Sequence, residues 1–218
     1  EFSHLKKLWY KTAVEGRMRT VFSLLYSPTS LAVSSIRDAY TADLEGIETD
    51  DPAIAEEIRS YLNEISPGKA NDVCLYDDKL LPLYKCISLE KTLDEICQKK
   101  VWLKSGGFLV IEQTEAFVSI DVNTGKYTDK KKAEETYRKI NLEAADEIGR
   151  QLRLRNLSGI IMVDFINMEN QDHVDELFHV MKKILKKDTV PAKAVDITAL
   201  GIMEITRKKV RRPVIEEL

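Results

Sequence analysis

Two hydrophobic periodicities alternate along the chain. From Leu5 to roughly Glu15 the spacing is helical, with Leu5, Leu8 and Trp9 on one side and no obvious partner nearby. Val21–Tyr26 is a short apolar run that opens an alternation of strand and helix, and Leu31–Tyr40 is helical again, with Val33, Ile36 and Tyr40 on one face. Asp51-Pro52 forms a helix start, acidic N-cap then proline in the first turn; Ile54, Ile58, Tyr61 and Leu62 follow at helical intervals until Pro67-Gly68 stops them. Val73–Tyr76 reads as a strand, and Ser88 as the cap of a helix carrying Leu89, Leu93, Ile96 and Cys97.

The second half is more regular. Val101–Leu103 and Phe108–Ile111 flank Gly106-Gly107, the signature of a hairpin, and Ala116–Val122 is a third strand. Glu134–Arg155 is a long amphipathic helix with Tyr137, Ile140, Ala144, Ile148 and Leu152 inside, stopped by Asn156 to Gly159. Ile160–Phe165 is nearly all apolar, which predicts a strand buried on both faces. Asp172–Lys186 is a helix with Val174, Leu177, Phe178, Met181, Ile184 and Leu185 inside, and Gly201–Thr206 a last strand. This order predicts an α/β layer fold.

Charge adds an asymmetry. The 218 residues carry a net charge of −3, which argues weakly against a nucleic-acid partner. Yet Lys182 to Arg212 holds ten basic residues (Lys182, Lys183, Lys186, Lys187, Lys193, Arg207, Lys208, Lys209, Arg211 and Arg212) against Asp188, Asp196 and Glu204. That is a positive segment on an acidic body, or else a solvated helix face and tail. Cys74, Cys86 and Cys97 form no CxxC pair, so they predict neither a disulfide framework nor a zinc site, but small core residues in a reducing compartment. No signal peptide is evident, and the longest uncharged stretch, Val21 to Ile36, is too short and polar to cross a bilayer.

Two carboxylates stand at the ends of apolar strands. Asp121 follows Val118-Ser-Ile and Asp164 follows Ile160-Ile-Met-Val. The helix between the strands suits a crossover, which would set them parallel with both acids in one crevice. The strand period of two places Ser119, Asp121 and Asn123 on one face. Two carboxylates and an amide suit Mg²⁺ or Mn²⁺; alternatively the aspartates cap strand or helix ends. Asp121-Val-Asn-Thr approaches the DxDxT motif of aspartyl-phosphate phosphatases, but Asn123 removes the general acid. Ser105-Gly-Gly lacks the spacing of a phosphate loop. His4, His173 and His179 have poor metal spacing and read as surface or packing residues.

Three stretches together carry a resemblance. They are Lys104-Ser-Gly-Gly-Phe-Leu-Val-Ile-Glu-Gln-Thr-Glu-Ala-Phe-Val-Ser-Ile-Asp-Val-Asn-Thr-Gly125, Asn141-Leu-Glu-Ala-Ala-Asp-Glu-Ile-Gly-Arg-Gln-Leu-Arg-Leu-Arg155 and Gly159-Ile-Ile-Met-Val-Asp-Phe-Ile-Asn-Met168. In this order they resemble the central block of the ribonucleases E and G. The likeness extends more weakly through Ser35-Ile-Arg-Asp38, Lys100-Val-Trp-Leu103 and Gly201-Ile-Met-Glu-Ile-Thr-Arg-Lys208.

The resemblance implies a helical tail of a 5′-sensing region over residues 1–18, an RNase-H-like subdomain over 19–98 and a deoxyribonuclease-I-like catalytic subdomain over 99–218. It implies a cytoplasmic, Mg²⁺-dependent hydrolytic endoribonuclease for single-stranded RNA. Asp121 and Asp164 would be the metal ligands and Asn123 would assist them; Asn167, where relatives often carry aspartate, would stay outside the metal's immediate ligands. Relatives place an OB-fold RNA-binding domain earlier and a zinc-binding segment that joins protomers later. The expectation is therefore a piece of a longer, homo-oligomeric enzyme, with zinc only in the missing segment. A non-catalytic scaffold or assembly domain of the same protein is the alternative.

Overall fold

A computed structural model describes residues 2–26, 30–39, 45–125 and 133–216. The chain divides into two units, Glu1–Ser88 and Leu89–Leu218, each with its own buried cluster.

In the first unit, α1 spans Phe2–Met18, α2 Leu31–Ala39, β1 Ile47–Thr49, α3 Pro52–Ile65, β2 Val73–Leu75 and α4 Leu83–Cys86. Asp51 caps α3, its Oδ1 accepting from the N–H groups of Ala53 at 2.7 Å and Ile54 at 3.2 Å. The apolar stripe of α3 (Ala55, Ile58 and Leu62) meets Val33, Ala70 and Val73 in the core. α3 connects β1 to β2, which pair in parallel with Ile47 opposite Val73.

Two expectations for this unit fail. Val21–Tyr26 forms no strand: Ser23 N–H bonds back to the Thr20 carbonyl, and Phe22 sits at φ 69°, a turn that no ladder can continue. The cysteines are not core residues, since Cys74, Cys86 and, in the second unit, Cys97 are all exposed. Cys74 alternates with the buried Val73 on β2, so it faces away from the core. Tyr40, expected on the inner face of α2, lies outside the described residues.

The second unit contains α5 (Leu89–Cys97), β3 (Lys100–Trp102), β4 (Phe108–Gln113), β5 (Val118–Asn123), α6 (Ala133–Leu154), β6 (Gly159–Asp164), α7 (Gln171–Lys186), β7 (Ala192–Ile197) and β8 (Ile202–Arg207). The sheet order is β3-β4-β5-β6-β8-β7. Every neighbouring pair is antiparallel except β5 and β6, which are parallel and joined through α6. The class is therefore α/β with a mixed sheet. α5 precedes the sheet within this unit. β7 gives little sequence signal, because Lys193 and Asp196 interrupt its apolar residues and a bulge between Ala194 and Asp196 breaks the period of two.

Among the described residues of this unit, α6 and α7 both pack on one face of the sheet. Leu109, Ile111, Val118, Ile120, Val122, Ile161, Val163, Met203 and Ile205 are buried in one cluster with Ile140, Ala144, Ile148 and Leu152 of α6 and Leu177, Met181 and Leu185 of α7. The alternate residues point the other way. This corrects the expectation that β6 is buried on both faces: Ile160 is 53% exposed. Neither α6 nor α7 covers this second face.

The two helices meet closely at Gly149, where a Cβ would lie 2.2 Å from Ile184 Cγ2. That atom branches directly from Ile184 Cβ, and in a helix a β-branched side chain has one strongly preferred χ1 rotamer, so it yields only by leaving that rotamer or by shifting α7. Gly149→Ala should therefore destabilise the protein by about 1 kcal/mol net, because an overpacking cost of ~1–3 kcal/mol outweighs the ~1 kcal/mol gain in helix propensity. Urea unfolding measures this, and a variant more stable than the parent would show that α6 and α7 do not pack this tightly.

Candidate active site

The paired strands bring the two predicted aspartates together. In the parallel register of β5 and β6, Asp121 lies directly opposite Asp164, with the backbones about 4.8 Å apart. Both side chains are exposed and stand on the face away from α6, since Val118, Ile120, Val122, Ile161 and Val163 fill the other. Exposure removes the cost of placing charges at the ends of apolar runs. Asn123 shares the face of Asp121 and donates from Nδ2 to Asp121 Oδ2 at 2.7 Å, fixing that carboxylate's rotation.

Two glycines let the neighbouring loops close on this strand end. A Cβ on Gly107 would lie 2.8 Å from the Asn123 carbonyl oxygen, and one on Gly125 2.5 Å from that of Gly106. The Gly106-Gly107 turn is thus the predicted hairpin, and it packs its backbone against the strand that carries the site.

A hydrogen-bonding role of α6 was not visible in the sequence. Asn141 is fully buried. Its Nδ2 donates to the Ile166 carbonyl at 2.8 Å and its Oδ1 accepts from Ile166 N–H at 3.1 Å. This amide clamp holds the chain two residues beyond Asp164. Glu143 accepts from Lys104 N–H at 2.6 Å and Ser105 N–H at 3.2 Å, pinning the turn ahead of β4. Glu134 accepts from the N–H groups of Glu169 and Asn170, both at 3.2 Å, and pairs with His173 Nδ1 at 3.1 Å. The available signal was a polar residue at an inward-facing helical position, Asn141, one residue past Ile140.

His173 is therefore a packing residue, while His179 is exposed and contacts the Asp175 carbonyl; the His4 side chain lies outside the described set. Asn167 stands by the β7–β8 turn, its Oδ1 3.2 Å from where a Gly201 Cβ would be.

The basic segment is dispersed. Lys182, Lys183, Lys186 and Lys187 are exposed on α7, in the helical layer on the opposite side of the sheet from the aspartates. Lys208 to Arg212 follow β8, whose last residue pairs with Gly159 at the other end of β6 from Asp164. Arg207 is buried against Asp188, with Nε–Oδ2 2.9 Å. By register only Lys193, opposite Thr206, shares the aspartates' face. The segment is not one patch beside the site.

Two carboxylates with an amide neighbour can hold a hard divalent cation through oxygen. Among the described residues no third carboxylate, imidazole or thiolate joins them. That donor set fits Mg²⁺, which is commonly bound by one or two carboxylates and completes its shell with water and phosphate oxygens.

Two expected outcomes test the scaffold around the site. Asn141→Leu keeps the volume but strands the Ile166 N–H and carbonyl, so it should cost about 2–3 kcal/mol in chemical denaturation; a neutral effect would mean the clamp holds nothing. Glu134 is held below its ordinary pKa of 4.5, first by the Glu169 N–H, with Asn170 and His173 adding to this and partial burial opposing it. Its stabilisation should be complete above that ordinary value and fade as pH falls through the lowered one. The melting-temperature gap between wild type and Glu134→Gln should accordingly narrow in acid, and a gap independent of pH would contradict the assignment.

Comparison with known proteins gives the family. The sequence model of the Ribonuclease E/G family matches residues 1–210. Ribonuclease G of Escherichia coli (strain K12) is 34% identical over 212 residues, covering 97% of this chain and 43% of that protein. The chloroplastic ribonuclease E/G-like protein of Arabidopsis thaliana is 37% identical over 201 residues, 91% of this chain and 20% of its own. Ribonuclease E of a Nostoc species is 36% identical over 208 residues, 94% of this chain and 30% of its own. The chain thus spans less than half the length of these relatives, and it belongs to the ribonuclease E/G family.

Proposed function

We propose that this chain carries the catalytic residues of a Mg²⁺-dependent endoribonuclease that hydrolyses single-stranded RNA, working within a longer protein. The observation that carries the reading is the register match of Asp121 and Asp164 on the uncovered sheet face, in a chain whose relatives are named Ribonuclease G and Ribonuclease E. On this reading the first unit corresponds to an RNase-H-like subdomain and the second to a deoxyribonuclease-I-like subdomain. The resemblance of the 104–168 block supports the latter, as does the helix-backed mixed sheet. The unpaired thiols suit a reducing compartment, the cytoplasm. No helix among the described residues is long and apolar enough to cross a membrane.

Asp121 and Asp164 would hold the ion. When bound, Mg²⁺ supplies a Lewis acid at the scissile phosphate and a water of lowered pKa. Asn123 fixes the rotation of the Asp121 carboxylate by its 2.7 Å bond. The Asn141 clamp fixes the backbone just past Asp164. Among the described residues neither α6 nor α7 lies on this face, and an extended RNA strand would run across β4, β5 and β6. The expected products carry a 5′-phosphate and a 3′-hydroxyl.

Asp121→Asn and Asp164→Asn should each abolish Mg²⁺-dependent cleavage of a fluorescent single-stranded RNA; undiminished cleavage would refute the site, and a wild type that binds RNA without cutting it would favour the scaffold reading. A second readout needs no turnover. Two carboxylates facing each other repel when no cation is bound, so Asp121→Asn should be at least as stable as wild type in chelator. Mg²⁺ at ten times Kd should stabilise the wild type by about 1.4 kcal/mol, a rise of roughly 3–6 °C in melting temperature, and the variant far less. Equal responses to Mg²⁺ at matched ionic strength would assign the aspartates a capping role.

A further inference from the structure

The uncovered face holds a second group of side chains, two strands from the aspartates. Trp102 on β3 is opposite Phe108 on β4, and Phe108 is opposite Asn123 on β5. One step along, Lys100 is opposite Val110, Val110 opposite Asp121, and Asp121 opposite Asp164. Residues paired in register share a face, so Lys100, Trp102, Phe108, Asn123, Asp121 and Asp164 all project from the same side of the sheet.

The three β3–β4 side chains form one cluster. The rings of Trp102 and Phe108 are 5.3 Å apart at an angle of 60°. The Lys100 ammonium lies 4.0 Å from the indole centroid and 3.6 Å from the phenyl centroid. Trp102 nevertheless remains 65% exposed. A large flat ring left in water on an edge strand gives up stabilisation that burial would bring. With the ammonium over one ring face, area remains for a second flat ring. Lys100 itself sits over aromatic rings rather than beside a carboxylate, so its charge is available to a phosphate.

We propose that Trp102, with Phe108 and Lys100, is a base-stacking subsite for the RNA strand, holding a nucleotide that flanks the one at Asp121 and Asp164; the inference rests on the reading of those aspartates as the cleavage site. Two strand spacings separate Trp102 from Asn123, about 10 Å, the reach of a neighbouring nucleotide. Stacking on an aromatic ring holds any base, because every base has a flat π face, while Lys100 takes the adjoining backbone charge. This subsite supplies at the active face the local RNA attraction that the dispersed basic segment does not.

The test uses the full chain in chelator, where RNA is not cut, with a labelled single-stranded oligoribonucleotide followed by anisotropy. Trp102→Ala should weaken binding roughly 5- to 100-fold, and Trp102→Phe should restore most of it. Replacing single nucleotides by abasic ones should weaken wild-type binding at one position and leave Trp102→Ala indifferent there. In a Trp9→Phe background the remaining tryptophan emission should be quenched by RNA. With Mg²⁺, Trp102→Ala should raise KM and leave kcat unchanged. Wild-type affinity in Trp102→Ala, equal loss with intact and abasic RNA, or no measurable RNA binding by the wild type would each overturn the subsite. The two readings separate cleanly. Full cleavage by Asp121→Asn removes the aspartate site, whereas a dead Asp121→Asn beside an unaffected Trp102→Ala removes only the stacking subsite.

Discussion

The placement of the paired aspartates depends on burial of a single sheet face. Side chains alternate along a strand, so a slip of one residue exchanges the two faces. In β5 such a slip would carry Asp121 into the cluster formed by Leu109, Ile148 and Val163 and turn Ile120 out to water. The cost of burying an unpaired carboxylate is far larger than any gain in strand pairing. The packing of α6 and α7 beneath the sheet therefore holds Asp121 opposite Asp164, although neither helix lies on their side. Apolar packing on one face sets polar geometry on the other.

α6 joins these two tasks. Its inner stripe supplies Ile140, Ala144, Ile148 and Leu152 to the core. Along its length Glu134, Asn141 and Glu143 reach the chain before α7, the chain after β6 and the turn before β4. Each accepts from backbone N–H groups that lie outside any ladder; those at Glu134 and Glu143 are exposed, and the partly buried Ile166 pair is the one expensive to leave unpaired. One rigid element thus ties down three connections around the site, which ordinary surface loops would leave free to vary.

Much of this was legible in the sequence, because the period was strong where burial was strong. α3, α6 and α7 announced themselves by apolar spacing, and Asp51-Pro52 by capping chemistry. The opposed aspartates followed from two strands joined by a helix. What escaped was decided by tertiary context. β7 has two charged residues among six and is bulged. The Val21–Tyr26 run had apolar residues but no strand to pair with. The apolar β6 looked like a central buried strand, yet helices cover only one of its sides. The basic run from Lys182 to Arg212 is continuous in sequence but falls on the helical layer and on the end of the sheet away from Asp164, since a helix, a bulged strand and a return strand intervene. The Asn141 clamp was hidden because hydrogen-bond partners 25 residues apart leave no local pattern.

The buried pair of Arg207 and Asp188 bears on how the far edge of the sheet moves. Arg207 ends β8, and its Nη1 also donates to Asn156 Oδ1 and the Leu157 carbonyl, both at 3.0 Å. Its side chain and that of Asp188 are only 3% and 2% exposed. If β8 frayed from this end, it would strand a guanidinium and a carboxylate without their counter-charges in a poorly hydrated pocket. Partial opening is therefore disfavoured relative to opening that also releases the α7–β7 connection and the turn after α6. The amides of β7, although at the sheet's rim, belong to a cooperative unit whose protection from hydrogen exchange should follow that of its interior neighbours rather than that of a loose edge.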